Sequence, residues 1–155
     1  MRVSTKSDYA LRALIEMALR EASGESKAIS AEELGKAQDI PHGFLQAILA
    51  DLRRSGIVVS QRGQSGGWRL ARAAHDVSVA DVIRAVDGPL VSVYGLRPEA
   101  VNYSGNAEIL QRVWIAARSS LRDVFETVSI EALAAGELPA EVMARTVDED
   151  AWQSH

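Results

Sequence analysis

The chain has 155 residues, 47% of them hydrophobic and 25% charged, which suits one mid-sized globular domain or one domain with an appendage and excludes wholesale disorder, collagen-like architecture and two full enzyme domains. It contains no cysteine, which removes disulfide scaffolds, thiolate zinc sites, cysteine-ligated iron–sulfur clusters and thiol catalysis together. The net charge of −4 hides a polarity: residues 1–72 carry eleven Lys and Arg against eight Asp and Glu (+3), and residues 73–155 carry six against thirteen (−7). No run approaches the ~18 to 20 apolar residues of a membrane span, and the N-terminus MRVSTKSDYALRAL lacks an apolar stretch ending in a small-residue cleavage site, so a soluble, cytoplasmic protein with no membrane partner is expected.

In chain order, Ser4 is placed to cap a first helix to about Glu21, with Tyr9, Leu11, Ala13, Leu14, Met17 and Ala18 largely on one face. Ser30-x-x-Glu33 is a capping-box pattern for a short second helix. Pro41 precedes a third helix whose apolar stripe, Phe44, Leu45, Ile48, Leu49 and Leu52, is expected to face the core before the helix stops at Gly56. The period then changes: Ile57–Val59 and Trp68–Ala71 read as short strands around a turn-rich Gln61–Gly67, a β-hairpin. Ser78-x-x-Asp81 caps a fourth helix to Gly88-Pro89, and residues 89–105 read as a loop. Asn106 to Val128 forms the longest helical run, about 35 Å at ~1.5 Å per residue, with Leu110, Val113, Trp114, Ala117, Leu121, Val124, Phe125 and Val128 near a heptad seam. A helix of that length calls for a partner, and these residues are the candidate dimerisation surface. Ser129 recaps a short helix ending at Gly136, and an acidic tail follows.

The order helix, short helix, Pro-started helix, hairpin is the winged helix-turn-helix plan. With the apolar stripe inward, His42, Gly43, Gln46, Ala50 and Arg53 face out of the third helix, either as a DNA-reading face or as a plain solvated one. Gln46 can pair bidentately with adenine, and Arg53 and Arg54 fit phosphate. From Leu52 to His75 the chain holds Arg53, Arg54, Arg62, Arg69 and Arg72 with no acidic residue, a stripe suited to phosphate. At the hairpin tip, Arg62 is a candidate minor-groove probe beside Gln64, Ser65, Gly66, Gly67 and Arg69, and the glycines permit close backbone approach to phosphate or simply make a turn. No GK[ST] follows the glycines, so this is not a P-loop.

Ile40-Pro41-x-x-Phe44-Leu45-x-x-Ile48-Leu49-x-x-Leu52-Arg53-x-x-Gly56, Ser60-x-Arg62-Gly63-x-x-Gly66-Gly67-Trp68-x-Leu70-Ala71 and Val79-x-Asp81-Val82-Ile83-x-Ala85-Val86-Asp87-Gly88, together with the N-terminal stretch, resemble the Rrf2 family of bacterial transcriptional regulators over about the first 90 residues. The resemblance implies a mostly α fold with a small β-wing and a long dimerisation helix. Residues 1–88 would be the winged helix-turn-helix DNA-binding domain, 89–105 a candidate sensor loop, 106–136 the dimerisation helix and short terminal helix, and 137–155 the acidic tail. It further implies a homodimer, a repressor as first choice, on a pseudo-palindromic double-stranded operator, with Gln46 and its neighbours in the major groove and Arg62 in the minor groove. Cluster-binding members often carry Glu at the position of Gln46, which leaves the base preference here open.

The family's best-known sensors hold an iron–sulfur cluster on three cysteines in the loop before the dimer helix. Here that loop has neither Cys nor His, and His42, His75 and His155 lie elsewhere, so neither a cluster nor another metal site is expected and no cofactor is assigned. Tyr94, Leu96, Arg97, Tyr103 and Trp114 either line a pocket for a small-molecule effector, with Arg97 as an anion anchor, or simply pack. A third option follows a Cys-free branch of the family, in which a metabolic enzyme is the regulatory partner. The rival to a DNA-binding regulator is a protein-interaction module on the same fold. No Ser-His-Asp, thiol or metal constellation suggests an enzyme.

Overall fold

The computed structural model describes residues 2–25 and 27–153. His155 lies outside the described residues. Helix α1 (Thr5–Ala22) starts where Ser4 accepts the Ser7 N–H at 2.9 Å, and Ala10, Ala13, Leu14, Met17 and Ala18 form its buried face. α2 (Ala31–Gln38) carries the complete Ser30/Glu33 capping box and ends at Asp39 in the left-handed region. After Pro41 the chain enters α3 (His42–Arg54), whose Leu45, Ile48, Leu49 and Leu52 are fully buried with Leu14 and Leu34. This stripe alone fills the space facing α1. Phe44, expected in the core, falls at its margin and is 52% exposed, standing edge-on to Tyr9 with ring centroids 5.8 Å apart.

Gly56 (φ +68) turns the chain into the hairpin, whose strands β1 (Val58–Gln61) and β2 (Gly67–Leu70) begin a residue or more off the sequence expectation. They pair antiparallel, Val58 opposite Leu70 and Ser60 opposite Trp68. Ile29 pairs with Trp68 from the other side, exchanging backbone hydrogen bonds of 2.9 and 2.7 Å, so the segment leading into α2 is sewn to the base of the wing. α4 (Val79–Asp87) starts at its Ser78/Asp81 capping box and closes the core with Val82 and Val86.

The second half departs further from expectation. The segment before the long helix is folded: Val93 and Leu96 close a tight turn, residues Pro98–Ala100 make a 3-10 turn, and Pro98 and Val101 are buried. Residues Gly105–Glu108 are also 3-10, so α5 runs only Ile109–Phe125, about 25 Å. Past its end the Thr127 hydroxyl lies on the carbonyls of Asp123 and Val124, and Val128 then extends so that its carbonyl accepts the Val79 N–H at 2.9 Å. Ser129 then caps α6 (Ile130–Ala135), which packs on α1 and places Ile130, fully buried, in the same core as the first four helices. The acidic tail forms α7 (Ala140–Ala144) and a 3-10 turn at Glu149–Trp152. Val142 packs with Val79 and Val128, while Trp152 is exposed and donates to the Thr146 carbonyl.

Because α6 completes the N-terminal core, Ile130→Ala is expected to cost ~2–5 kcal/mol, read as a lower urea midpoint at unchanged slope. A loss below about 1 kcal/mol would mean that α6 is dispensable to that core.

Candidate nucleic-acid interface

His42, Gly43 and Gln46 are exposed on the N-terminal half of α3, and Ala50 is half-buried one turn on. The structure thus presents the first three on the outward face, as the apolar spacing requires. Arg53 is exposed as well, its guanidinium 6.0 Å from the Trp68 ring centroid, which joins the last turn of α3 to the wing. Arg54 folds back to pair with Asp51, so it is less free for phosphate than the sequence suggests.

What fixes the pitch of α3 is a polar knot that sequence reasoning missed. Asp51, with its side chain 11% exposed, pairs with Lys6 of α1, and the Lys6 ammonium also donates to the Val86 carbonyl at 2.9 Å near the end of α4. Asp87 in turn accepts from the hydroxyls of Ser4 and Ser7. The available signal was Asp51 itself, a lone carboxylate among arginines and three residues after the buried Ile48.

On the wing, Arg62, Gln64, Ser65 and Arg69 are exposed, and Arg62, Arg69 and Arg72 make no ion pair among the described residues. Gly66 and Gly67 are half-buried, and both have an internal reason to be glycine. A Cβ on Gly66 would lie 2.5 Å from the Gln61 carbonyl oxygen; one on Gly67 (φ +149) would lie 2.4 Å from the Ile29 carbonyl oxygen. The close approach at these two positions is therefore to the protein's own backbone, and only Gly63 (φ +106) faces open space at the tip.

Along α5, no residue is fully buried. Ile109, Leu110, Val113 and Ala117 are exposed, and Trp114 and Leu121 are half-buried. Ile109, absent from the sequence-based seam, shares a face with Val113 and Ala117 at four-residue steps. The lower end of the expected seam serves the chain itself: Val124 and Phe125 pack against Val79, Val128 and Val142, and Val128 lies beyond the helix, buried. That reassigns Val128 from a dimer surface to the core, because the chain must turn there to pair with the start of α4.

Of the expected effector residues, Tyr103 and Trp114 meet, and Tyr94 and Arg97 stand apart from them. Tyr94 is 91% exposed at the tip of the Val93–Leu96 turn with φ +54, and Leu96 beside it is also exposed. Tyr103 accepts a hydrogen bond from the Trp114 indole at 3.0 Å and lines one cleft, whereas Arg97 lines another. In the Arg97 cleft, the Arg122 guanidinium, reinforced by Arg84, holds the Glu126 carboxyl down at about 2. Its contribution is therefore complete above the ordinary carboxylate range and fades only as pH falls from about 4.5 toward 2, so Glu126 stays ionised throughout neutral pH.

The family model for Rrf2, described as an iron-dependent transcriptional regulator, matches residues 3–136. The chain belongs to the Rrf2 family. Rv1287 of Mycobacterium tuberculosis, whose name assigns it provisionally to the HTH-type transcriptional regulators, is 41% identical over 154 residues, covering 99% of this chain and 94% of the relative. The transcriptional regulator IscR of Cereibacter sphaeroides is 34% identical over 116 residues, 74% of each chain. Among solved structures, CymR, the global cysteine regulator of Bacillus subtilis, superposes with a TM-score of 0.71 at 26% identity, covering 88% of this chain and 98% of that one. The T. potens IscR structure gives a TM-score of 0.67 at 25% identity over 99% and 97%. The winged-helix regulator fold and the assignment to transcription regulation follow. Iron does not fit the residues present: the 89–105 segment of this Rrf2 chain offers no thiol or imidazole, and its carboxylate Glu99 is engaged by Arg118 at 2.6 Å.

Gly67→Ala is expected to break the Ile29–Trp68 pairing, seen as faster amide exchange at both residues with little change at Leu14 or Leu49. Unaltered exchange at Ile29 would show that the wing tolerates a Cβ there.

Proposed function

We propose that this Rrf2 protein is a homodimeric regulator, a repressor in the first instance, that binds a pseudo-palindromic operator without an iron–sulfur cluster and has no enzymatic activity of its own. The single observation that carries the reading is that Arg53, over Trp68, joins the exposed outward face of α3 to a wing bearing the exposed Arg62 and Arg69. Gln46, His42 and Gly43 are exposed on α3, Arg53 leans on Trp68 at the wing base, and Arg62 at the tip and Arg69 on β2 are exposed. Gln46 reads a base edge, Arg62 enters a minor groove, and Arg53, Arg69 and the tip residues Gln64 and Ser65 position the protein on phosphates. Gly66 and Gly67 shape the wing for this role.

The exposed apolar face of α5 supports dimerisation. Ile109, Leu110 and Val113 are 61%, 39% and 50% exposed on one chain, a surface that a second copy would cover. A two-fold pair sets its recognition helices about one DNA turn, ~34 Å, apart, which matches an inverted repeat. Repression is then steric, by occupancy of the operator. Cytoplasmic location accords with this role, and among the described residues no helix is long and apolar enough to cross a membrane.

Arg62→Ala is expected to weaken operator binding by ~1–3 kcal/mol and to relax preference at the minor-groove step it enters, measured by fluorescence anisotropy at fixed salt. Equal affinity for wild type and variant would remove Arg62 from the interface.

A further inference from the structure

The acidic half of the chain concentrates its positive charge in one place. Of the six arginines among residues 73–155, four (Arg84, Arg97, Arg118 and Arg122) line a single cleft of about 460 Å³ between the end of α4, the Gly88–Leu90 turn and the side of α5. The carboxylates in the same cleft are Glu99 and Glu126, leaving a formal surplus of two positive charges in a concavity partly floored by Pro89 and Leu90. Glu126 is shared between Arg84 and Arg122, and Glu99 is taken by Arg118. Arg97 makes no ion pair among the described residues and stands at the same cleft.

Surface ion pairs alone would need no such excess. Three carboxylates, with Asp81 3.9 Å from Arg84 beside Glu99 and Glu126, engage three guanidiniums and leave donors over, and planar guanidinium forks match the paired oxygens of carboxylates and phosphates. The low-dielectric walls of a cleft also focus the field of its net positive charge, raising the local concentration of an anion.

We propose that this cleft binds a small dianion, a compact dicarboxylate or a phosphate monoester, held by Arg97 together with Arg118 and Arg122. The site also has a physical connection to the DNA-binding surface. Arg84 sits on α4 two residues before Val86, whose carbonyl accepts from Lys6, and Lys6 pairs with Asp51 on α3. A dianion competing with Glu126 for Arg84 and Arg122 loosens the clamp between α4 and α5 and shifts α3 relative to a dimer-related copy. This part rests on the operator-binding reading; the binding site itself does not.

The test titrates the full-length protein with inorganic phosphate and, separately, with succinate, using chloride at equal ionic strength as the reference, and reads binding by calorimetry and thermal melting. At least one of the two is expected to bind saturably and raise Tm above the chloride reference. Arg97→Ala is expected to weaken that binding tenfold or more. Arg112→Ala, a charge change on α5 outside this cleft, is expected to leave it within twofold. No binding beyond chloride by either anion, or equal weakening by Arg97→Ala and Arg112→Ala, overturns the site. Where the anion binds, operator affinity is then measured with and without it, and anion affinity with and without operator; linkage requires the two factors to be equal. Equal factors different from one support the coupling, and factors of one overturn it. A protein that binds the anion but no DNA at all refutes the operator reading and leaves the site standing.

Discussion

The Lys6 ammonium sits where α1, α3 and α4 meet, shared between the Asp51 carboxylate and the Val86 carbonyl. Asp51 is largely removed from water, so its charge is tolerable only with a cation beside it, and breaking such a pair costs more than forming it gains. The hydrophobic stripe of α3 fixes which face points inward, but an apolar stripe allows some sliding along the helix axis. The directional contacts of Lys6 and Asp51 remove that freedom. The exposed residues His42, Gly43 and Gln46 inherit their placement from this knot, as does Arg53 over Trp68.

Local signals in the sequence account for the helix starts. Ser4, Ser30, Ser78 and Ser129 all cap where their spacing implies, since a hydroxyl bonding the third backbone N–H is a short-range interaction independent of tertiary context. The outward face of α3 and the exposed wing arginines were legible for the same reason. The end of α5 was not. Apolar residues continue at helical spacing through Val128, yet the backbone leaves the helix because Val128 has a partner, Val79, nearly fifty residues earlier in the chain. Periodicity records that a residue is buried and does not record against what. Phe44 shows the converse: its spacing fits the stripe, but it falls at the margin, half exposed and edge-on to Tyr9.

The wing shows how one motif serves two needs. Glycines beside arginines suggest an approach to phosphate, but Gly66 and Gly67 are required by the chain's own carbonyls at Gln61 and Ile29. The arginines carry the exposed charge, and the glycines bring the wing hard against the segment that feeds α2. The wing is thereby tied on one side to the segment before α2, through Ile29, and on the other to the last turn of α3, through Arg53. The surface they form is presented as one unit, which suits a reader of adjacent grooves.

Under the proposed function this unit, doubled about α5, reads an inverted repeat without metal. The most direct measurement is selection of genomic DNA fragments on the purified metal-free protein at two salt concentrations. The account predicts one palindromic motif whose half-sites are about one helical turn (~34 Å) apart, with log affinity falling steeply and linearly with log salt. Recovery of no motif at either salt, or of a single half-site bound equally well alone, would contradict it.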